Sequence, residues 1–565
     1  MLDFISREPV LKGWSGDKKY CVTDKDGVQY LLRISPKAQY EKREALYHVM
    51  KEAEALGVPM CRPVDFGLCG DGVYSLHTWI DGEDAEAVIP MLPDAQQYIL
   101  GLQSGEILRK IHSIPAPENQ EDWYDRFRRK TETKIRKYRE CGLRFDGDEA
   151  VIRYLETNWA LLKNRPQCLQ HGDYHIGNMM LENGELVIID FDRFDYGDPW
   201  EEFNRIVWCA QKSPLFATGQ LNGYFGGKVP MDFWRLLAFY IGSNTLSSIY
   251  WAMDFGQSDI DTMMRQSREV LQWYDGMRNP VPTWYINDFY YQVTDGVPYK
   301  LKEPFDFSFL KEYGRVFKVF DDQDSGNICF GTEKDGRRCF VKFAGAPTAE
   351  GAITPEEAVE NLKNTIPVYM DLRHKNLINM VTAGETAGGY AVVFEWAEGC
   401  CMGRQYPISH KEFMSLPLDA RLKAYGDVLE FHSFAAEKGY VAIDFYEGSV
   451  MYDKKRKKTT VCDIDFYSKR PYINNMGRMW GSSGFMSPEE FELGAVIDEV
   501  TNVYNMGAAA FSFFADRHRD RESWPLTEEL YRVAEKAVSE DRTQRQQSMD
   551  RFIFEWNRAL KTNGK

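Results

Sequence analysis

One order of elements occurs twice in the 565 residues, and no other feature limits the possible folds as much. "YCVTDKDGVQYLLRIS" (20–35) and "ICFGTEKDGRRCFVKFA" (328–344) each read as strand, Asp-Gly turn and strand, the usual hairpin signal. In both, a basic residue follows the turn glycine by six positions: Gly27 to Arg33, and Gly336 to Lys342. Farther on, "YSLHTWIDGED" (74–84) parallels "YAVVFEWAEGC" (390–400), an apolar strand running into an aromatic, an acid and a glycine. "SGEILRKIHSI" (104–114) parallels "YGDVLEFHSFA" (425–435), both with helical periodicity and a late His-Ser. Each half then reaches an Asp-bearing loop, a strand and further Asp. That loop lies 61 residues beyond His112 in the first half (Asp173) but only 12 beyond His432 in the second (Asp444). A charged, helical insertion at 115–165 accounts for the difference. The expected organisation is two domains, residues 1–280 and 311–565, joined by an aromatic, Pro-containing connector at 281–310.

Composition narrows the function classes. Hydrophobic residues make up 44% of the chain and aromatics 14%, enough for packed interiors. The net charge of −16 opposes a phosphate backbone, so no nucleic-acid partner is expected. Eleven scattered cysteines with no CxxC pair read as reduced thiols rather than a disulfide framework. "MLDFISREPVLKGW" lacks the pattern of a signal peptide, and no run is apolar enough for a membrane span. A cytoplasmic setting without membrane partners is the expectation.

The stretch "HGDYHIGNMMLENGELVIIDFD" (171–192) concentrates the chemistry. Asp173 and Asn178 share a loop, and Asp190 follows a turn and the strand "LVII". A carboxylate and an amide from the loop, with a second carboxylate from the strand end, suit Mg²⁺, which takes few protein ligands beside phosphate and water. Arg33 would meet the phosphates, with Glu44 on the next helix as its ion-pair partner. Metal, phosphate-pairing cation and a carboxylate that orients a hydroxyl are the inventory of phosphoryl transfer. His171 and His175 are four apart, but the intervening glycine opposes the helix that a zinc pair would need. Asp192, Asp195, Asp198, Glu201 and Glu202 either form a solvated face or line a pocket for a cationic or polyhydroxyl acceptor.

"HGDYHIGN", "IDFD" (189–192) and "GDPWEEF" (197–203) together resemble the aminoglycoside phosphotransferase family, within the protein-kinase-like superfamily. The resemblance covers roughly residues 1–280. It implies Asp173 as catalytic base, Asn178 and Asp190 as Mg²⁺ ligands, and His171 as support for the loop. Gly13, Ser15, Gly16 and Lys18 would cover the phosphates of ATP or GTP, and Trp79 lies where a hinge meets adenine. One departure is Arg33 where many kinases carry Lys; Arg pairs phosphate bidentately, so activity is compatible with it.

From about 315 the chain is more distantly similar to Ser/Thr protein kinases. Lys342 in "CFVKF" matches the strand lysine, Asp444 in "GYVAIDFYEGSVMYD" the catalytic base, and Asp463 and Asp465 in "VCDIDFY" the metal ligands. "MSPEEF" (486–491) resembles the end of an activation segment. The departures are Ala442 and Ile443 for His and Arg, Ser449 at the metal-ligand Asn position, Tyr467 for Gly, and Asn502 for the usual helix Asp. Glu360 is the expected partner of Lys342. The fold class implied is α+β: two protein-kinase-like bilobal domains in tandem, each with a β-rich N-lobe and a helical C-lobe. The implied function is nucleotide- and Mg²⁺-dependent phosphoryl transfer to a hydroxyl of a small molecule, with an aminoglycoside-like antibiotic as the leading substrate expectation. The alternatives are a protein kinase whose C-terminal domain acts on a protein substrate while the first domain senses, and a non-catalytic nucleotide-binding scaffold.

Overall fold

The computed structural model describes residues 4–11, 16–70 and 72–562. Gly13 and Ser15 lie outside the described residues. The chain divides into two compact units, one through Tyr291 and one from Gln292.

The first unit opens with β1 (Phe4–Pro9), β2 (Lys18–Asp24), β3 (Gln29–Pro36), helix α1 (Tyr40–Ala55), β4 (Pro63–Cys69) and β5 (Gly72–Thr78). They form an antiparallel sheet in the order β1-β2-β3-β5-β4. Asp24 turns the β2–β3 hairpin by accepting the amides of Asp26 and Val28, and Gly27 adopts φ +81°. Alternation along β3 puts Arg33 and Ser35 on one buried face of the central strand.

Helices follow. The segment 115–165 holds α3 (Trp123–Glu140), downstream of α2 (Asp94–Ile111). Asp122 caps α3 by accepting the Tyr124 and Asp125 amides, and Trp123, Phe127, Thr131, Ile135 and Tyr138 form its buried stripe. The rest of that helix is charged, as its sequence required. A short hairpin, β6 (Met179–Glu182) and β7 (Glu185–Ile188), precedes α4 (Pro214–Phe225) and the apolar core helix α5 (Met231–Ala252). α2 and α4 cross with almost no separation. A Cβ on Gly101 would lie 2.2 Å from the Phe216 carbonyl oxygen, and one on Gly105 2.0 Å from that of Gln220. Glycine is the only residue that permits this approach. It brings Gln220 Nε2 within 2.9 Å of Ser104 Oγ, and the Tyr174 hydroxyl donates to the Ser104 carbonyl at 2.8 Å. The 171–178 loop is thereby tied to the helical core.

The second unit repeats the sheet. β8 (Arg315–Phe320), β9 (Asn327–Lys334), β10 (Arg337–Ala344), helix α6 (Pro355–Asp371), β11 (Met380–Thr386) and β12 (Gly389–Glu395) pair as β8-β9-β10-β12-β11. Helix α7 (Leu418–Glu437), the hairpin β13 (Val450–Asp453) and β14 (Lys458–Val461), and the buried α8 (Glu499–Ala515) follow.

The expected connector 281–310 is divided between the two cores. Trp284 and Tyr285 pack with Trp234 in the first unit, whereas Tyr299, Leu301, Phe307 and Leu310 pack under the second sheet. Its aromatic content, read as a linker property, is core packing. All eleven cysteines are free, and among the described residues no helix is long and apolar enough to cross a membrane.

Candidate active site

The loop between α3 and β6 is built around fully buried His171. The Asp173 amide donates to its Nδ1 at 3.3 Å, which leaves Nε2–H to donate to the Ile189 carbonyl at 3.1 Å. Burial holds the imidazole pKa below its ordinary value, in keeping with this neutral tautomer. Gly172 adopts φ +84°, and a Cβ there would sit 1.8 Å from the Arg193 carbonyl oxygen. Glu202 clamps the turn from below: its carboxylate accepts the Gly172 amide at 3.0 and 3.1 Å and the Tyr174 amide at 3.3 Å. Burial alone would raise the Glu202 pKa, but His112, His171 and the Gly172 amide outweigh it and hold the carboxyl below its usual range. The sequence placed Glu202 among five acids of a solvated face or acceptor pocket; its side chain instead serves the loop.

Asp173 and Asn178 come together as expected. Asn178 Nδ2 donates to the Asp173 carbonyl at 2.8 Å, which leaves Oδ1 as the outward oxygen of the amide. Asp190 holds φ +64° at the end of β7 and is 43% exposed, with Arg33 Nη1 3.9 Å away. An amide oxygen and an exposed carboxylate with a single distant cation form a donor set that fits a hard divalent ion beside phosphate.

Arg33 departs from expectation in its partner. Its Nε donates to Asp17 at 2.8 Å, and its two Nη atoms fork onto Asp192, Nη1 at 2.7 Å. Arg43 makes a second fork onto the same pair, to Asp192 at 2.8 Å and to Asp17. Both guanidiniums are buried, 7% and 6% exposed. Glu44 is not the partner of Arg33; it accepts from the Tyr40 hydroxyl at 3.2 Å. The reason is helical phase. Arg43, Leu46, Met50 and Ala53 form the inward stripe of α1, and Glu44 falls beside it. Burial alone would lower the Arg33 pKa, but Asp192, Asp190 and Asp17 raise it. Lys18 and Gly16 are exposed at the edge of β2, and Trp79 follows β5 with its amide donating to the Gln29 carbonyl at 3.4 Å.

The five acids expected to form a solvated face or an acceptor pocket are otherwise engaged. Asp192 is held by two arginines and Glu202 by the loop. Asp198 is fully buried and accepts from Arg165 at 2.7 and 2.9 Å, from the Tyr240 hydroxyl at 2.6 Å and from the Trp200 amide at 3.0 Å. Asp195 pairs with Arg126, and Glu201 accepts from Gln170 at 3.2 Å. Around the Asp173 carboxylate stand Arg205 Nε at 3.3 Å, Arg193 Nη1 at 3.6 Å and His175 Nε2 at 3.8 Å, none of which the sequence reading singled out for this role.

In the second unit Lys342 bridges the two strand-end acids, donating to Asp463 at 2.9 Å and to Asp465 at 2.6 Å. Glu360 is exposed and makes no ion pair with Lys342 among the described residues. The inward stripe of α6 is Ala358, Leu362, Thr365 and Tyr369, and it is the Tyr369 hydroxyl that donates to Asp465 at 3.0 Å. Asp444 adopts φ +64°, where the first unit used Gly172 one position earlier for its left-handed turn. Its pKa rises to about 7, through burial first and then through Asp463 and Asp324. Ser449 is buried, and its Oγ has no hydrogen-bond partner among the described residues. Asn502, at the position of the usual helix Asp, still holds the loop: its Oδ1 accepts the Ala442 amide at 2.8 Å. Glu489 is anchored by a buried two-bond pair with Arg545 at 2.7 and 3.0 Å.

Comparison with known proteins bears on the first unit. Residues 6–235 match the family model APH, described as the phosphotransferase enzyme family. A search of curated proteins finds no match. Among solved structures, one similar chain is a thermostable mutant of aminoglycoside phosphotransferase APH(4)-Ia in ternary complex with ADP and hygromycin B. It shows 16% identity and a TM-score of 0.37 over 47% of this chain and 94% of that one. The gentamicin complex of APH(2")-IIa shows 16% identity and a TM-score of 0.35 over 47% and 92%. A choline/ethanolamine kinase family protein from Mesorhizobium loti shows 16% identity and a TM-score of 0.37 over 49% and 91%. The family match covers residues 6–235, the part of the chain that carries the 171–178 loop.

Proposed function

We propose that the first unit transfers the γ-phosphoryl group of a nucleoside triphosphate, ATP or GTP, to a hydroxyl of a small molecule. The observation that carries this reading is the loop that fixes Asp173 and Asn178 on one frame through His171 and Glu202, next to Asp190 and the buried arginines. Asp173 orients the acceptor hydroxyl and takes its proton as the new O–P bond forms and the bond to the leaving nucleoside diphosphate breaks. Asn178 Oδ1 and Asp190 would hold Mg²⁺, which would supply charge neutralisation to the phosphates. Arg33 and Arg43, both bonded to Asp17 and Asp192, fix positive charge beside Asp190, so that charge needs no rearrangement at the moment of transfer. Gly16 and Lys18 cover the phosphates, and the Trp79 segment receives the base.

The second unit reads as a divergent protein-kinase-like domain that does not transfer phosphate. What favours this is the lysine locked between Asp463 and Asp465, with Tyr369 in place of a glutamate partner and Ser449 in place of a ligand amide. The test is a mass-spectrometric search for an added phosphate on hydroxylated metabolites, using the full chain with MgATP. Asp173→Asn should abolish transfer and Asp444→Asn should leave it intact. Labelled protein that vanishes with Asp444→Asn alone would overturn both assignments.

A further inference from the structure

Asp17 is turned inward between two exposed neighbours, Gly16 and Lys18, and its side chain is only 3% exposed. A single oxygen, Oδ2, accepts from both buried guanidiniums, Arg33 Nε at 2.8 Å and Arg43 Nη2. Burial alone would raise the Asp17 pKa, but Ser35, Arg43 and Arg33 outweigh it and hold the carboxyl below its usual range. Asp192 takes the other sides of the same two guanidiniums. With both arginines buried and both engaged, an anion from solution reaches them only by displacing one of the two acids.

Charge leads to the same exchange. Two cations stand against three carboxylates, because Asp190 lies 3.9 Å from Arg33 Nη1. A phosphate added to the intact set meets net repulsion, whereas one that replaces a carboxylate inherits its partners. A guanidinium fork matches carboxylate and phosphate oxygens alike, so the replacement keeps the geometry. Of the two acids, Asp17 is the easier to move. It accepts two of the guanidinium bonds and Asp192 three. Among the described residues the β2–β3 pairing starts at Lys18, opposite Ile34, so the ladder does not hold Asp17 in place. Gly16, just before it, has open space on its side-chain face.

We infer that Asp17 occupies the place of a nucleotide phosphate in the resting first unit: its carboxylate fills donors of Arg33 and Arg43, and the arriving phosphate takes that place. This rests on the phosphotransferase reading, in which Gly16 and Lys18 cover the phosphates, and adds to it a competitor carried by the chain itself. The exchange belongs to nucleotide binding and is complete before transfer.

The test is calorimetric titration of the full chain in the presence of Mg²⁺. The probes are the β,γ-imido analogues of ATP and GTP, with adenosine and guanosine as the same bases without phosphates. The binding event lost in Asp190→Ala is the one that belongs to the first unit. Asp17→Asn keeps the size of the side chain and removes its charge, so the analogue should bind about tenfold more tightly while the nucleoside is unaffected. Asp17→Glu keeps the charge and should not tighten binding. Equal or weaker binding of the analogue by Asp17→Asn would overturn the inference. So would loss of analogue and nucleoside together in both Asp17→Asn and Asp17→Ser, since the carboxylate would then build the site instead of filling it. Failure of the phosphotransferase reading would look different: no binding of either analogue, in the wild type or the Asp17 variants, would depend on Asp190.

Discussion

Replacing Arg43 tests how the nucleotide end of the site is held. Its two Nη atoms each bond a carboxylate, Asp192 at 2.8 Å and Asp17, and both acids are largely buried. A charge-assisted hydrogen bond contributes roughly 1.5–3 kcal/mol, and breaking a buried pair costs roughly 3–5 kcal/mol. Arg33 still faces both acids after the change, so Arg43→Ala should destabilise the first unit by about 3 kcal/mol, the lower end of that range. Glu44→Gln keeps an acceptor for the Tyr40 hydroxyl and should stay within about 0.5 kcal/mol of the wild type. Urea unfolding of the full chain, followed in the transition that belongs to the first unit, measures both. Nucleotide affinity should move in parallel, with a KM for ATP raised about tenfold in Arg43→Ala and unchanged in Glu44→Gln. Equal damage from the two substitutions, or greater damage from Glu44→Gln, would refute the guanidinium-pair reading.

Glu202→Gln leaves one acceptor oxygen where two receive the Gly172 and Tyr174 amides, so kcat should fall about tenfold or more while acceptor KM changes little. Lys134 bears on stability. Its pKa is about 7 in the folded chain against 10.5 for a free lysine, so between these values the unfolded chain binds more protons and stability rises with pH. Lys134→Met should therefore stabilise the protein at pH 7 by about 2 kcal/mol after allowance for solvent screening, and the gain should vanish near pH 10.5, as melting curves across that range would record. A gain independent of pH would count against a Lys134 pKa lowered by burial. Ser449→Asn, which restores the amide at the metal-ligand position, should not confer phosphate transfer on the second unit, because Lys342 still bridges both acids; labelling of the Asp173→Asn, Ser449→Asn double variant measures it.

How far the sequence can be read depends on whether a residue's role is local or set by packing. The hairpins announced themselves because an Asp-Gly turn between apolar runs has few alternatives, and the repeated order of elements carried both sheets. The loop 171–178 was legible for the same reason: its glycine, histidine and asparagine act on their own neighbours. Ion-pair partners were not, since they depend on helical phase. Counting from Leu46, Met50 and Ala53 puts residue 43 inward and residue 44 aside; the equivalent count on α6 puts Tyr369 inward and Glu360 outward. A glutamate at the familiar distance from the strand was the wrong signal in both units, and the apolar stripe was the right one. The acids of 192–202 misled differently. Their partners Arg33, Arg43, Arg165 and Tyr240 lie far off in sequence, and nothing near them marks an acid as buried. The packing of the connector was not legible, because aromatic residues near prolines suit both a linker and the rim of a core.

Phosphate transfer measured on Asp173→Asn tests the central claim most directly. The substitution keeps the size of the side chain and the backbone bonds of its loop while removing the proton acceptor. With the full chain, MgATP and an acceptor found in the metabolite search, the wild type should form phosphorylated acceptor, and Asp173→Asn should lose at least about a thousandfold in kcat with nucleotide binding retained. Transfer that survives Asp173→Asn, or that disappears only with Asp444→Asn, would contradict the assignment of catalysis to the first unit.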